Sequence, residues 1–200
     1  MTPLLHLFGW LPMALTTLLL LHGCGPVLVG GTAVGVSMIH DRRTAATVLE
    51  DQKIELVAAG RFNEDKDLSE HARVGFTSYN RVVLITGQAD RTEIKDRIAE
   101  TVQRFPEVSR VVDEVSVGPL VGIEQASDDT YVTSKVKLAL FDLDLPEFDP
   151  TRIKVVTERG VVYLMGLVTH READAVVEKA RYINGVQRVV KIFEYVTLNP

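Results

Sequence analysis

The stretch VVLITGQADRTE, residues 82–93, returns as VVYLMGLVTHRE at residues 161–172, and this recurrence decides the fold. Val82, Val83, Gly87 and Glu93 align with Val161, Val162, Gly166 and Glu172. The match runs outward on both sides. Ile54, Ala58 and Phe62 correspond to Val132, Val136 and Leu140, and VSRVVDEVSV (108–117) corresponds to VQRVVKIFEYV (186–196). Two copies about 78 residues apart are too few for a solenoid, whose neighbours share one continuous core. Each copy must therefore close a small domain of its own.

Both copies read alike. An amphipathic helix (about 51–62 and 129–141) carries apolar residues every four positions, with Asp128 or Asp129 as N-cap in the second copy. An acidic loop follows. Two β-rich runs come next, 73–79 with 82–87 and 152–158 with 161–168, joined by tight turns at Tyr79-Asn80-Arg81 and Arg159-Gly160. Gly160 suits a hairpin position needing positive φ, and Asn80 takes that role in the first copy. A second helix (about 91–105 and 171–183) places Ile94, Ile98, Val102 and Phe105 on one face, and Pro106 and Gly185 stop it. A last strand closes the unit. The order αββαβ predicts an α+β fold, a three-stranded mixed sheet with two helices on one face, made twice.

Composition bounds the chemistry. With 46% hydrophobic and 24% charged residues the chain is globular, and a formal charge of −5 gives no support for nucleic-acid binding. One cysteine excludes an intrachain disulfide and a cysteine metal cage. That residue, Cys24, follows a 23-residue apolar run without Asp, Glu, Lys or Arg, MTPLLHLFGWLPMALTTLLLLHG. Pro12 and the Gly23-Cys24-Gly25-Pro26 ending favour a segment that is cut over one that continues. LHGC, with Leu21 at −3 and Gly23 at −1, resembles the lipobox of bacterial lipoproteins, although His22 and a first segment without Lys or Arg depart from it. That resemblance implies cleavage after residue 23 and a diacylglycerol plus an N-acyl chain, such as palmitate, on Cys24. Gly25 in the second mature position is similar to lipoproteins released to the outer membrane. An uncleaved anchor and a plain buried cysteine are the alternatives. Residues 25–46, glycine-rich and without a period, read as a flexible tether whose r.m.s. span is roughly 25 Å.

The αββαβ unit with VxLxGxVxxxxE, a helix and a following GVxxV resembles the BON domain. Two such units behind a lipobox, joined by GPLVGIEQASDDTYVTSKV, resemble the dual BON-domain outer-membrane lipoproteins. The boundaries expected are 1–23 for the signal peptide, 24–46 for the acylated cysteine and tether, 47–118 for the first BON domain and 119–200 for linker and second domain.

Enzyme chemistry finds no foothold in the residues. His6, His22, His40, His71 and His170 are scattered, and none stands at metal-ligand spacing with a second ligand. The acidic run NEDKDLSE (63–70) lacks the glycine and spacing of a calcium loop, and reads as a solvated loop. GGTAVG (30–35) follows no strand and precedes no lysine, so it is not a phosphate loop. No cofactor and no metal are expected.

One feature does not reduce to folding. In DDTYVTSKVKLALF the stripe Val132, Val136, Leu140 already supplies a core face, yet Tyr131, Leu138 and Phe141 fall off it among Ser134, Lys135 and Lys137. Either this face packs on the first domain or widens the core stripe, or it meets a membrane. In the latter case the aromatic sits at the interface, aliphatics dip into acyl chains and lysines meet lipid phosphate. The equivalent helix of the first copy has Lys53, Leu56, Val57 and Arg61 and no aromatic there. The family resemblance implies the second option: a phospholipid-binding helix opening the second BON domain, with Tyr131 where relatives have tryptophan. It implies anionic phospholipids (phosphatidylglycerol, cardiolipin) as partners and attachment to the outer membrane facing the periplasm. It further implies a non-enzymatic role in membrane integrity, with recruitment to division sites. The rival reading is a protein-interaction adaptor that recognises other envelope proteins through the edges of its sheets.

Overall fold

The computed structural model describes residues 41–120 and 124–197. Residues 1–40, with the signal-peptide reading, Cys24 and most of the tether, lie outside the described residues. The elements run α1 (Ala45–Glu64), α2 (Lys66–His71), β1 (Ala72–Tyr79), β2 (Val82–Ala89), α3 (Thr92–Gln103) and β3 (Arg110–Val117). The second copy runs α4 (Glu124–Phe141), a 3-10 turn (Pro150–Arg152), β4 (Lys154–Glu158), β5 (Val161–Val168), α5 (His170–Arg181) and β6 (Arg188–Tyr195). In each copy the first two strands are antiparallel and the second and third parallel, giving the orders β1-β2-β3 and β4-β5-β6. The mixed sheet arises because a hairpin turn reverses the chain, whereas the α3 or α5 crossover returns it in the same direction.

The expected stripes form the cores. Ile54 and Ala58 of α1 pack with Val83, Ile85, Ile94, Ile98 and Val102. Val132, Val136 and Leu140 pack with Val162, Leu164, Val168, Ala173 and Val176. Two helix edges differ from the sequence reading. The run 63–70 is not a loop: Asp65 ends α1 and caps α2, accepting from the Asp67 and Leu68 amides, which lets Leu68 turn inward and become buried. Its carboxylates are engaged by Arg97, which pairs with Asp65 at 2.9 Å and also contacts Asp67. Residues 41–46, read as the end of the tether, are tied down. Thr44 caps α1, the Arg42 guanidinium holds both oxygens of Glu172 at 2.6 and 2.9 Å, and Arg43 reaches Asp51 at 2.8 Å.

A third core joins the two copies. Every residue of β2 is buried, so both of its faces are covered. Helices cover one face. On the other, Tyr79, Val82 and Leu84 meet Tyr163, Met165 and Ile192, so the sheets pack face to face. Polar contacts ring this seam: Tyr79 Oη donates to the Arg152 carbonyl (3.0 Å), Gln88 Nε2 to Glu158 (3.1 Å) and Asn80 Nδ2 to Glu194 (3.2 Å). Arg42 adds a link of a different kind. Because β4 stops at five residues, the far end of β5 lacks an antiparallel partner, and Arg42 Nη1 supplies a donor to the Leu167 carbonyl at 2.8 Å.

This shared core modifies what is expected of the second copy alone. A chain spanning residues 120–200 keeps its own core and should unfold cooperatively, but Tyr163, Met165 and Ile192 lose their cover. Each such side chain is worth about 1.5–3 kcal/mol when fully buried, so its melting midpoint should fall at least about 10 °C below that of the whole protein. Calorimetry of the two chains is the check. Equal midpoints would mean the seam contributes nothing, and no transition would mean the copies cannot fold apart.

Candidate functional site

The site begins with how α4 is held. The helix starts at Glu124, so Asp129 is an interior residue and not the N-cap expected from the sequence. It is buried among the core positions, and its carboxylate accepts the backbone N–H groups of Arg159 (2.7 Å) and Gly160 (2.9 Å). Asp51 does the same in the first copy, accepting from Asn80 N and Arg81 N, both at 2.8 Å, and from Ser78 Oγ at 2.6 Å. Both turns need this help. Asn80 and Arg81 have φ of +50° and +65°, Arg159 and Gly160 +51° and +74°, so the two hairpins use four left-handed residues, three of which carry a Cβ. A buried carboxylate facing the turn amides offsets that strain. Sequence reasoning missed the device, although a signal was present: Asp51 and Asp129 sit on the core stripes, at i−3 from Ile54 and Val132.

With Asp129, Val132, Val136 and Leu140 inward, the opposite face of α4 is fixed outward. Tyr131, Leu138 and Phe141 are 66%, 68% and 65% exposed. Neither the packing on the first domain nor the widened core stripe holds for these three side chains. Ser134 and Lys137 are exposed beside them, and Lys135 is half-buried. Lys135 lies over the Tyr131 ring, 4.4 Å from its centroid, while its Nζ donates to the Asn184 carbonyl. Ser134 Oγ donates back to the Thr130 carbonyl at 3.0 Å, and Thr133 and Thr157 hydroxyls meet at 2.7 Å, binding the helix to β4. The six residues singled out thus share one outward face, with the lysines flanking the apolar side chains. Cys24 lies outside the described residues.

The C-terminal end of this face runs into a cavity of about 290 Å³ at the junction of the two copies, lined by residues that include Arg43, Tyr79, Lys137, Phe141, Ile153 and Lys154. Arg43 stacks over Tyr79 at 3.8 Å. Burial alone lowers the affinity of the Arg43 guanidinium for its proton, but Asp41, the Tyr79 oxygen and Asp51 outweigh that and raise it. Burial raises the Tyr79 phenol, keeping it protonated, with Arg43 opposing. Among the described residues no group of three or more His, Cys, Asp or Glu could hold a metal ion, and no helix is long and apolar enough to cross a membrane. A further exposed aromatic, Tyr182, stands beside Arg181 after α5, two residues before the carbonyl that Lys135 grips.

Known proteins give this geometry a family. The BON domain matches residues 50–119 and 128–197. The outer membrane lipoprotein DolP of Haemophilus influenzae is 32% identical over 92% of this chain and 95% of its own length. The 21 kDa hemolysin of Actinobacillus pleuropneumoniae is 33% identical over 78% of this chain and 79% of its own. Among solved structures, the C-terminal domain of CdsD, a structural protein of the type III secretion system of Chlamydia trachomatis, overlaps 68% of this chain and 98% of its own at 14% identity. The TM-score of 0.29 is too low to bear on fold or function. Two BON domains on a chain alike to DolP over nearly its whole length mean that this protein belongs to the dual BON-domain family of outer-membrane lipoproteins.

Proposed function

We propose that this protein is a non-enzymatic lipoprotein of the cell envelope, acylated on Cys24 and held at the periplasmic face of the outer membrane, which binds anionic phospholipid through the outward face of α4. In this role it supports outer-membrane integrity, including at division sites. The observation that carries the reading is the exposure of Tyr131, Leu138 and Phe141 on the face opposite a complete core stripe, with Lys135 and Lys137 beside them. Magnitudes fit a weak contact assisted by an anchor. Three apolar side chains are worth roughly 1.5–3 kcal/mol each when buried, and each lysine near an anionic surface adds about 1 kcal/mol. Orientation and ordering consume much of that sum. An acyl anchor makes the contact intramolecular and multiplies it.

The test is vesicle co-sedimentation with phosphatidylglycerol or cardiolipin against phosphatidylcholine. Tyr131→Glu and Leu138→Glu should each reduce binding at least about tenfold, since roughly 1.4 kcal/mol suffices for that. A carboxylate there meets anionic headgroups and must be carried toward an apolar layer. Far-UV circular dichroism should not change, because neither side chain touches the core. Lys135→Ala and Lys137→Ala should weaken binding mildly and lower its sensitivity to salt. Glutamate variants that bind vesicles like the wild type would hand the face to a protein contact, and the adaptor reading would replace this one. The anchor has its own check: mass spectrometry of the native protein should show loss of residues 1–23 and added acyl mass on Cys24. An intact Met1 in the mature protein would exclude it.

A further inference from the structure

The cavity at the end of α4 has a composition that the surface of the helix does not explain. Three cationic side chains, Arg43, Lys137 and Lys154, line it, and no carboxylate does. Its remaining wall is chiefly apolar, with Tyr79, Phe141 and Ile153. The cations come from three separate parts of the chain: the segment entering α1, a position one turn before the end of α4 and the first residue of β4. The fold of the second copy sets Lys137 beside Lys154, and the packing of the two copies adds Arg43 and Tyr79.

Their existing partners leave room for an anion. Arg43 is held from behind by Asp41 and Asp51, at 2.7 and 2.8 Å, and serves as a fixed wall stacked on Tyr79. Lys154 reaches Glu55 at 3.4 Å, a pair whose side chains are 45% and 31% exposed, and such pairs contribute little. Lys137 makes no ion pair among the described residues. A volume of about 290 Å³ falls at the lower end of ligand pockets, enough for a phosphate and its ester linkage but not for two acyl chains.

We propose that this cavity is a headgroup site for a single anionic phospholipid. Lys137 and Lys154 take the phosphate, and the first carbons of the lipid lie against Phe141, Ile153 and the Tyr79 ring. The assignment rests on the membrane-facing reading of α4, because Phe141 and Lys137 belong to both and make the cavity continuous with that face. Charge complementarity and the apolar wall together favour a lipid over a free phosphate. A consequence is that lipid recognition depends on both copies, since Arg43 and Tyr79 precede β2 and Lys154 belongs to the second sheet.

The experiment uses monomeric dihexanoyl phosphatidylglycerol, below its micellar concentration, added to a chain beginning at Gly25, which keeps every described residue. NMR titration should shift the resonances of Arg43, Tyr79, Phe141 and Lys154, and Lys154→Gln should weaken that binding at least fivefold with an unchanged circular dichroism spectrum. Glycerol phosphate should bind at least tenfold more weakly than the short-chain lipid. Tyr131→Glu should leave the monomeric lipid bound while vesicle binding is lost. If vesicles bind but the short-chain lipid shifts none of these resonances, the headgroup site is overturned and the membrane-facing reading stands. If the lipid fills the cavity and vesicles are not bound, the site stands and the membrane-facing reading falls. Equal affinity for glycerol phosphate would overturn the lipid assignment.

Discussion

Gly87→Ala should unfold the protein at temperatures where Gly166→Ala, its counterpart in the repeat, stays folded. The two glycines align in sequence and do different work. Gly87 has a φ of +119°, and a Cβ there would stand 2.1 Å from the Arg73 carbonyl oxygen and 2.9 Å from the Val74 Cα, both backbone atoms of the paired strand β1. Nothing flexible can move aside. Conformational strain of about 1–3 kcal/mol and overpacking of about 1–3 kcal/mol together take a large share of a typical domain's stability. At Gly166 the backbone carries no such φ, and the nearest atoms are the Arg152 carbonyl oxygen at 3.0 Å and the Ile153 Cδ1 at 3.1 Å. The difference follows from β4, which begins at Lys154 opposite Met165, so that the backbone beside Gly166 is that of the preceding turn and not of a paired strand. Urea and thermal denaturation of both variants are the measurement. Equal losses would mean that the close approach at Gly87 relaxes without penalty.

Asp51→Ala is the second change with a large effect, and it should exceed Asp129→Ala. Asp51 is 3% exposed and accepts four hydrogen bonds: two turn amides, the Ser78 hydroxyl, and Arg43 at 2.8 Å. Its removal leaves two part-buried amides of a strained turn without an acceptor and takes one of two carboxylates from Arg43. Breaking a buried, paired charge of this kind costs about 3–5 kcal/mol. The Asp129 carboxylate serves the two turn amides of Arg159 and Gly160. Its loss should cost about 2–3 kcal/mol, the desolvation penalty for stranded donors, and less at Gly160, where positive φ is free of strain. Asp51→Asn separates the parts, since an amide oxygen still accepts from the turn but brings no charge to Arg43. Stability close to the wild type in Asp51→Ala would show that water reaches the turn and replaces the carboxylate.

Much of the architecture was legible in the sequence. Two copies of one pattern gave the number of sheets, the order αββαβ and the inward residues, because the periods of helix and strand are local properties. Ile54 with Ala58, and Val132 with Val136 and Leu140, are buried for the reason their spacing announced. The surplus apolar face of α4 was also readable, since a helix needs one buried stripe and this one had two. Other features depended on residues far apart in the chain. VVLI and VVYLM are continuous apolar runs, which says that both faces of those strands are covered, but their letters cannot say by what. The answer, each sheet covering the other, required Tyr79, Val82 and Leu84 to meet Tyr163, Met165 and Ile192. A carboxylate on a core stripe fits an N-cap and a turn acceptor equally well when only its neighbours are known. Asp51 and Asp129 became turn acceptors because hairpins about 30 residues downstream fold back onto their helices. Periodicity assigns each residue a face. Only the tertiary structure, by bringing distant segments together, decides what that face meets, and here that covers the seam, the turns and the cavity.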